Sequence, residues 1–313
     1  MRPSSDSERC PVCARPTALL ARGIVAPFVC ELAGLSLGET TTYRRCVTCD
    51  LCFFTRRYSG EELAGLYGDY RSTTYVRVRR RWEPWYRDAV NDAYAGDTPE
   101  VAERRHFLES VLAEAVGDRR FALALDYGGD EGQFFPAAAS GERLVLDASE
   151  RALRPGVERV AQLGGLPAPP DLVVAAHVLE HLSDPLAALQ DLRRAVADGG
   201  ILYAEVPLDR FATAPAHASS AYAGYLRHLV GLRPAFVAAD LATGIARQHR
   251  HRVPLAGIVK QSEHLTYFSP RSLRTLVEAA GFAVVGERSD PRASVGGLRL
   301  GRHALVGEAS PGA

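Results

Sequence analysis

The sequence has almost no lysine, no cysteine beyond position 52 and no apolar run long enough to cross a bilayer. Lys260 is the only lysine among 37 lysine and arginine residues, so the abundance of arginine is a compositional bias and a single arginine says little about phosphate binding. An equal number of acidic residues balances them, which gives no electrostatic reason to expect a nucleic-acid partner. The N-terminus lacks the apolar region of a signal peptide, so we expect a cytoplasmic protein with no membrane partner.

The composition is that of a globular protein with one large core. The 313 residues are 47% hydrophobic and 24% charged, enough for an α/β core and a smaller attached domain. By pattern the chain divides into residues 1–58, 59–99 and 100–313, and the last part carries an insertion over residues 207–262. We expect that insertion, of mixed helical and loop character, to act as a substrate lid.

The cysteines are confined to the first of these parts: Cys10, Cys13, Cys30, Cys46, Cys49 and Cys52. Cys10 with Cys13, and Cys46 with Cys49, form two C-x2-C turns whose four thiols match the ligand number of a tetrahedral structural zinc ion. In a reducing compartment this favours bound Zn2+ over disulfides, and the alternative is a group of buried thiols without metal. Cys52 is a competing ligand, whereas we interpret Cys30 as an ordinary small apolar residue.

Helical patterns fill the stretch between the cysteines and the large core. Ser59 and Glu62 have capping-box spacing before a short amphipathic helix. The rest of residues 59–99 is basic and aromatic, which is typical of a solvated helix or of a cleft for an anionic substrate. Residues 96–118 predict a further helix with four apolar residues on its buried side: Phe107, Leu108, Val111 and Leu112.

From residue 100 onward, short apolar runs alternate with helical patterns. We predict strands at residues 121–127, 143–149, 157–161, 171–178, 200–207, 282–289 and 300–308. Near-continuous Val, Leu, Ile and Ala is what buried parallel strands require. The pattern therefore predicts a doubly wound, Rossmann-like α/β sheet of seven strands.

The first of these strands runs into the glycine-rich sequence LDYGGDEGQF. The dinucleotide pattern G-x-G-x-x-G fails here, because it would need glycines at Asp130 and Gln133 when counted from Gly128. Asp147, at the end of the second strand, is well placed to accept hydrogen bonds from ribose hydroxyls. A glycine loop and a ribose acceptor without a pyrophosphate site indicate a single nucleoside-like cofactor.

With this loop the chain resembles the class I S-adenosylmethionine-dependent methyltransferases over residues 100–305. LDYGGDEGQF is similar to their D-x-G-x-G-x-G loop with Asp130 in place of the middle glycine, LVLDAS to their second strand, and PDLVVAAHVLEHLSDP to their fourth strand. GGILYAEVP and EHLTYFSPRSLRTLVEAAGF extend the resemblance through the fifth strand to the last helix.

The resemblance implies that S-adenosylmethionine is the cofactor and assigns residues to its parts. The implied cofactor-binding residues are Asp126, Gly128, Gly129, Asp130, Gly132, Asp147, Gln162 and His177. Asp126 and the loop would hold the methionine end, Asp147 the ribose and Gln162 the adenine. Aspartate tolerates the left-handed backbone conformation, so we expect Asp130 to preserve the loop and to be able to pair with the cofactor ammonium group.

Three further residues are candidates for proton transfer with the methyl acceptor: His181, Glu263 and His264. The cysteine turns together with YRSTTY and EHLTYF resemble the zinc-containing sugar C-methyltransferases, which implies a nucleotide-linked sugar as acceptor and Glu263 and His264 as residues near it. Gln261 stands where those enzymes carry a tyrosine, so O-methylation of a glycan or a secondary metabolite stays open. Two alternatives also stay open, an RNA methyltransferase and a non-enzymatic zinc-bearing binding protein with a degenerate loop.

Overall fold

The computed structural model describes residues 9–87, 96, 98–291, 293–295, 298–299 and 301–310. The predicted helical segment 59–99 therefore lies partly outside the described residues. Eight α-helices are found in the described part of the chain: α1 (Pro27–Ala33), α2 (Gly60–Tyr67), α3 (Thr73–Trp82), α4 (Pro99–Val116), α5 (Pro185–Ala195), α6 (Ser220–Gly231), α7 (Arg233–Arg250) and α8 (Pro270–Ala279). Across those residues there are also fourteen strands: β1 (Thr17–Val25), β2 (Thr40–Cys46), β3 (Cys52–Phe54), β4 (Phe121–Tyr127), β5 (Ala139–Leu146), β6 (Glu158–Arg159), β7 (Leu172–Ala176), β8 (Ile201–Pro207), β9 (Lys260–Gln261), β10 (Thr266–Tyr267), β11 (Phe282–Asp290), β12 (Ser294–Val295), β13 (Leu298–Arg299) and β14 (Arg302–Ala309).

Two compact units make up the chain. The first unit consists of Met1–Cys10, Ala14–Asp88 and Asp209–Phe268, and the second of Pro11–Cys13, Ala89–Leu208 and Ser269–Ala313. The segment that the sequence presents as an insertion of the large domain thus forms one compact unit with residues near the N-terminus.

The first unit contains a five-stranded sheet with the order β10-β3-β2-β1-β9. Strands β1, β2 and β3 pair antiparallel, β9 pairs parallel with β1, and β10 pairs antiparallel with β3. Although β9 and β10 are only two residues long, they attach the end of segment 209–268 to both edges of this sheet. The residues from Lys260 to Tyr267 are therefore held by backbone hydrogen bonds at each end.

The second unit contains a seven-stranded sheet with the order β11-β14-β8-β7-β4-β5-β6. Strands β6, β5, β4, β7 and β8 are parallel, and β14 is antiparallel to both of its neighbours. The predicted doubly wound α/β fold is confirmed. The chain order reverses between β4 and β7, and ligands of such sheets bind at the carboxyl ends of the strands beside that point.

The local sequence explains the second unit's core. Helix α4 begins at Pro99, and the side chain of Thr98 accepts a hydrogen bond from the backbone N–H of Val101. Its four predicted core residues are buried against strand residues that include Phe121, Val145 and Val174. The predicted capping box is also confirmed at α2, where Ser59 and Glu62 bond each other's backbone N–H groups.

No single helix of the described residues has the length and apolar composition of a membrane span. The pair of helices α6 and α7 meets that test only jointly, and the two axes are bent by 120°.

Candidate functional site

The loop after strand β4 has the backbone conformation that its glycines predict. Gly128 and Gly132 have φ angles of 74° and 78°, and Asp130 has a φ of 51°. The N–H of Gly128 donates to the carbonyl of Leu146 at 2.8 Å. A Cβ atom on Gly129 would lie 2.3 Å from Cγ of Asp126, so only glycine allows the backbone to pass this close to the carboxyl group. The loop therefore brings bare backbone to the carboxyl ends of β4 and β5.

Asp126 is a buried acid at the end of β4. Its side chain is 1% exposed, and its Oδ2 atom has no hydrogen-bond partner among the described residues. Burial, followed by the nearby charge of Asp147, raises the pKa of the Asp126 carboxyl to about 8. An acid in this state is satisfied by a ligand that brings a positive charge and a hydrogen-bond donor.

Asp147 and Asp130 fix the other side of the loop. The Asp147 carboxylate accepts hydrogen bonds from the N–H of Asp130 at 3.0 Å and from the N–H of Ser149 at 2.6 Å. The Asp130 carboxylate lies 3.5 Å from the guanidinium of Arg151 and accepts a hydrogen bond from the Ser149 hydroxyl. Asp130 thus adopts the left-handed conformation and has an internal cation as a partner.

Two buried charged residues that sequence reasoning missed lie at the same edge of the sheet. Arg104 of α4 is 5% exposed, Glu205 of β8 is 1% exposed, and they are 3.4 Å apart. Burial raises the pKa of Glu205, but Arg104, followed by His177 and Tyr203, outweighs it and brings that pKa down to about 2. An acidic residue in the apolar strand ILYAEVP was the available signal for Glu205.

His177 lies in this buried group just after strand β7. Its Nε2 atom is 2.9 Å from Oε1 of Glu205, and its Nδ1 atom is 3.7 Å from Oε1 of Glu180. The backbone φ of His177 is 57°, an unusual conformation for a non-glycine residue. The next residue, Val178, lies where a Cβ on Gly128 would be, at 2.5 Å, so the turn after β7 packs on the glycine loop.

The remaining predicted residues of the second unit lie in short turns. Gln162 is exposed and precedes a 3-10 turn over Leu163–Gly165. His181 ends the 3-10 turn Leu179–His181, and its side chain is 21% exposed.

Glu263 belongs to a buried ionic network of the first unit. Its carboxylate accepts a hydrogen bond from the Tyr75 hydroxyl and lies 3.0 Å from the guanidinium of Arg79. Arg79 also bonds Glu83 at 2.8 Å and stacks on the Tyr86 ring at 4.1 Å. A carboxylate with a guanidinium and a phenol as partners is a weak proton acceptor.

His264, the next residue, has a different partner. Its Nδ1 atom lies 2.9 Å from Oδ2 of Asp209, and its ring makes an edge contact with Tyr267. Glu263 and His264 are adjacent in the chain, yet they bond to separate groups.

Gln261, the residue that departs from the sugar C-methyltransferase pattern, is fully buried. Its amide oxygen accepts from the Thr41 hydroxyl at 2.9 Å, and its amide nitrogen donates to the carbonyl of Arg56 at 2.8 Å. Both ends of this side chain are used inside the first unit's sheet.

Four cysteines meet near the N-terminus. The Sγ atoms of Cys10, Cys13, Cys46 and Cys49 all lie within 4.8 Å of one another. The N–H groups of Thr48 and Cys49 each lie 3.4 Å from Sγ of Cys46. Four clustered thiols with backbone donors on a sulfur fit a structural zinc ion, which takes four sulfur ligands as thiolates.

The other two cysteines are placed elsewhere. The Cys52 thiol is buried against Tyr43 and Arg210, and burial raises its pKa. The Cys30 thiol faces the carbonyl of Val25, and burial raises its pKa to about 12.

The chain matches the Methyltransferase domain family over residues 101–287, more than half of its length. The chain belongs to that family and is an S-adenosylmethionine-dependent methyltransferase. No curated protein sequence matches it.

Solved structures with a similar fold include the N-methyltransferase NodS from Bradyrhizobium japonicum WM9, which is 17% identical, with 68% of this chain and 98% of that chain covered and a TM-score of 0.40. NodS in complex with S-adenosyl-L-homocysteine is 16% identical, with 72% and 97% covered and a TM-score of 0.41. The 1,6-didemethyltoxoflavin-N1-methyltransferase from Burkholderia thailandensis is 13% identical, with 68% and 80% covered and a TM-score of 0.40.

Proposed function

We propose that this methyltransferase transfers a methyl group from S-adenosylmethionine, bound at the glycine loop of the second unit, to a small-molecule acceptor. The observation that carries the proposal is the buried carboxyl of Asp126, whose Oδ2 atom has no partner among the described residues and which lies directly under Gly129. Bound S-adenosylmethionine supplies an electrophilic methyl carbon on a sulfonium ion. The protein's own task is to bind and align, because methyl transfer is an in-line displacement.

The residues of the second unit divide the binding task. Asp126 and the loop from Gly128 to Gly132 would hold the methionine end, with the Asp126 carboxylate accepting from the α-ammonium group. Asp147, which already fixes the loop, would accept from ribose hydroxyls, and Gln162 would contact the adenine. His177 would support the site from the β7 edge.

The charge at this edge suits a cationic ligand. Three buried carboxyl groups, those of Asp126, Glu180 and Glu205, lie at the ends of neighbouring strands, whereas Arg104 is the buried guanidinium among them. Because a buried charge is costly without an opposite charge nearby, a sulfonium and an ammonium group would be favoured here.

Proton removal from the acceptor would fall to His264. Its imidazole is partly exposed and bonded to a carboxylate, whereas the Glu263 carboxylate is committed to Tyr75 and Arg79. Glu263 would therefore shape the site, and His181 is a further candidate for contact with the acceptor. The role of residues 207–262 as a lid stays a prediction.

The acceptor we propose is a sugar, such as a nucleotide-linked one, or a secondary-metabolite intermediate, methylated at carbon or oxygen. The resemblance of the cysteine turns and of EHLTYF to the zinc-containing sugar C-methyltransferases supports this choice. A hydroxyl and a carbon acid both need a base near neutral pKa, which a histidine provides.

We also propose that Cys10, Cys13, Cys46 and Cys49 bind one structural Zn2+. Four protein thiolates would complete its tetrahedral coordination and leave no open position for catalysis, so its contribution would be to stability.

Methyl-labelled S-adenosylmethionine tests the acceptor class. The protein is incubated with nucleotide-linked keto-deoxysugars, free glycans and RNA, and products are analysed by mass spectrometry and NMR. Labelled methyl on a sugar carbon or oxygen, lost in His264→Ala, supports the proposal. Transfer to RNA alone would contradict the small-molecule acceptor.

A further inference from the structure

A side-chain contact joins the two ends of the segment Asp209–Phe268 in the first unit. Asp209 is the first residue of that segment, and its Oδ2 atom lies 2.9 Å from Nδ1 of His264 near the other end. The Asp209 side chain is 10% exposed and that of His264 is 26% exposed. The aspartate is therefore the buried partner and the histidine the accessible one.

Asp209 is an ionised hydrogen-bond acceptor. Burial raises its pKa, but the nearby imidazole of His264 and then the guanidinium of Arg247 outweigh that effect and hold the pKa below its usual value. Arg247 is itself held over the Phe211 ring at 4.1 Å. A carboxylate accepts only, so the Nδ1 atom of His264 must donate.

This contact determines where His264 carries its basic lone pair. A neutral imidazole has one N–H, and a hydrogen bond that fixes it on Nδ1 puts the lone pair on Nε2. A general base needs that lone pair on the atom that meets the acceptor's proton. The neighbouring carboxylate of Glu263 has no such role toward His264, because Tyr75 and Arg79 engage it.

We propose that Asp209 is a positioning residue that holds His264 in the Nδ1–H tautomer, so that Nε2 of His264 takes the proton from the acceptor. The inference rests on the proposed function, in which His264 is the base. The acceptor oxygen or carbon forms a bond to the methyl carbon while the bond from that carbon to sulfur breaks. The acceptor's proton goes to Nε2, the sulfonium becomes a neutral thioether, and the resulting imidazolium faces the Asp209 carboxylate.

Nitrogen NMR of the histidine rings tests the tautomer without any acceptor. The full-length, zinc-loaded protein is labelled with 15N-histidine, and the His264 signals are assigned by their loss in His264→Gln. We expect a protonated Nδ1 and an unprotonated Nε2 in the neutral ring. A wild-type His264 protonated on Nε2 would overturn the proposal, whether or not any variant folds.

Substitutions test whether Asp209 is the cause. In Asp209→Ala we expect the ring to lose its preference for Nδ1–H, and in Asp209→Glu we expect that preference to be retained. Asp198→Ala is the matched control, since the Asp198 side chain is 72% exposed. An unchanged tautomer in a folded Asp209→Ala protein would contradict the assignment.

Kinetics then separate positioning from folding and from cofactor binding. With a methyl acceptor in hand, Asp209→Ala should lower kcat by roughly 100-fold, within the range that general-base catalysis contributes, with an unchanged Kd for S-adenosylmethionine. Asp209→Glu should restore part of the loss. Normal kcat in Asp209→Ala would overturn the positioning role, whereas loss of cofactor binding by the wild type would instead contradict the proposed function.

Discussion

At the end of strand β4, the carboxyl of Asp126 is buried below the glycine loop with a pKa of about 8. Its conformation and its protonation state both depend on what binds there. Burying an uncompensated carboxylate is costly, so the free protein keeps the proton near neutral pH. The two predictions at this scale concern Asp126 and the glycine above it.

Cofactor binding should release a proton from Asp126. A cationic ammonium group beside the carboxyl lowers its pKa, so a group that is protonated at pH 7 in the free protein becomes ionised in the complex. We expect the calorimetric enthalpy of S-adenosylmethionine binding at pH 7 to differ between phosphate and Tris buffers, in proportion to their ionisation enthalpies. Asp126→Asn should remove the difference. Equal enthalpies for the wild-type protein would contradict this assignment.

Gly129→Ala should weaken cofactor binding. The added Cβ would lie 2.3 Å from Cγ of Asp126, so the loop must shift away from the carboxyl group. We expect at least a tenfold rise in Kd, about 1.4 kcal/mol, measured by calorimetry on protein whose circular dichroism is unchanged. The control is Gly224→Ala in helix α6, where a Cβ meets no atom within 4 Å. If both variants bind like the wild type, the loop does not contact the cofactor.

At the scale of elements, a chain of buried ion pairs connects helices α3 and α7 with strand β9 in the first unit. Lys260, the only lysine of the chain, lies between the carboxylates of Glu83 and Asp240. Burial raises the pKa of Glu83, but Lys260 and then Arg79 outweigh it and lower that pKa to about 2. Glu83 thus contributes stability that is present above the pKa of an unfolded glutamate and is lost as the pH falls toward 2.

Removing the lysine should expose this dependence. Lys260→Met leaves two buried carboxylates without their cation, which should lower the free energy of unfolding by roughly 3–5 kcal/mol at pH 7. The penalty should shrink near pH 3, because the wild type is then losing the stability that Glu83 contributes. Urea denaturation at both pH values measures it. A penalty of equal size at pH 7 and pH 3 would show that the ion pairs are not its source.

The two cysteine turns should act as one metal-binding element. We expect one zinc ion per chain by elemental analysis, with loss of metal and a lower Tm when Cys10, Cys13, Cys46 or Cys49 is replaced by serine. Cys30→Ser and Cys52→Ser are the matched controls and should keep the metal, since these thiols face Val25, Tyr43 and Arg210. Metal loss in Cys52→Ser with retention in Cys13→Ser would place Cys52 in the ligand set.

For the whole molecule, the sequence predicted the architecture of the second unit well because its signals are local. Strand β4 has the predicted bounds, Phe121–Tyr127, and the glycine spacing and Asp130 correctly indicated left-handed backbone. Apolar runs and glycines act within a few residues, so they can be recognised without knowledge of tertiary contacts.

The side-chain partners depend on packing that no local pattern encodes. Glu263 bonds Tyr75, 188 residues earlier, and His264 bonds Asp209, 55 residues earlier. Strands β9 and β10, two residues each, are too short for any periodicity to mark them. The adjacent Glu263 and His264 were predicted to act together, whereas the structure gives each its own partner.

Calorimetric titration of the zinc-loaded protein with S-adenosylmethionine and S-adenosylhomocysteine tests the central claim most directly. We predict micromolar binding of both ligands, lost in Asp126→Ala and Asp147→Ala and retained in His264→Ala. A folded, zinc-loaded protein that binds neither ligand would contradict the account.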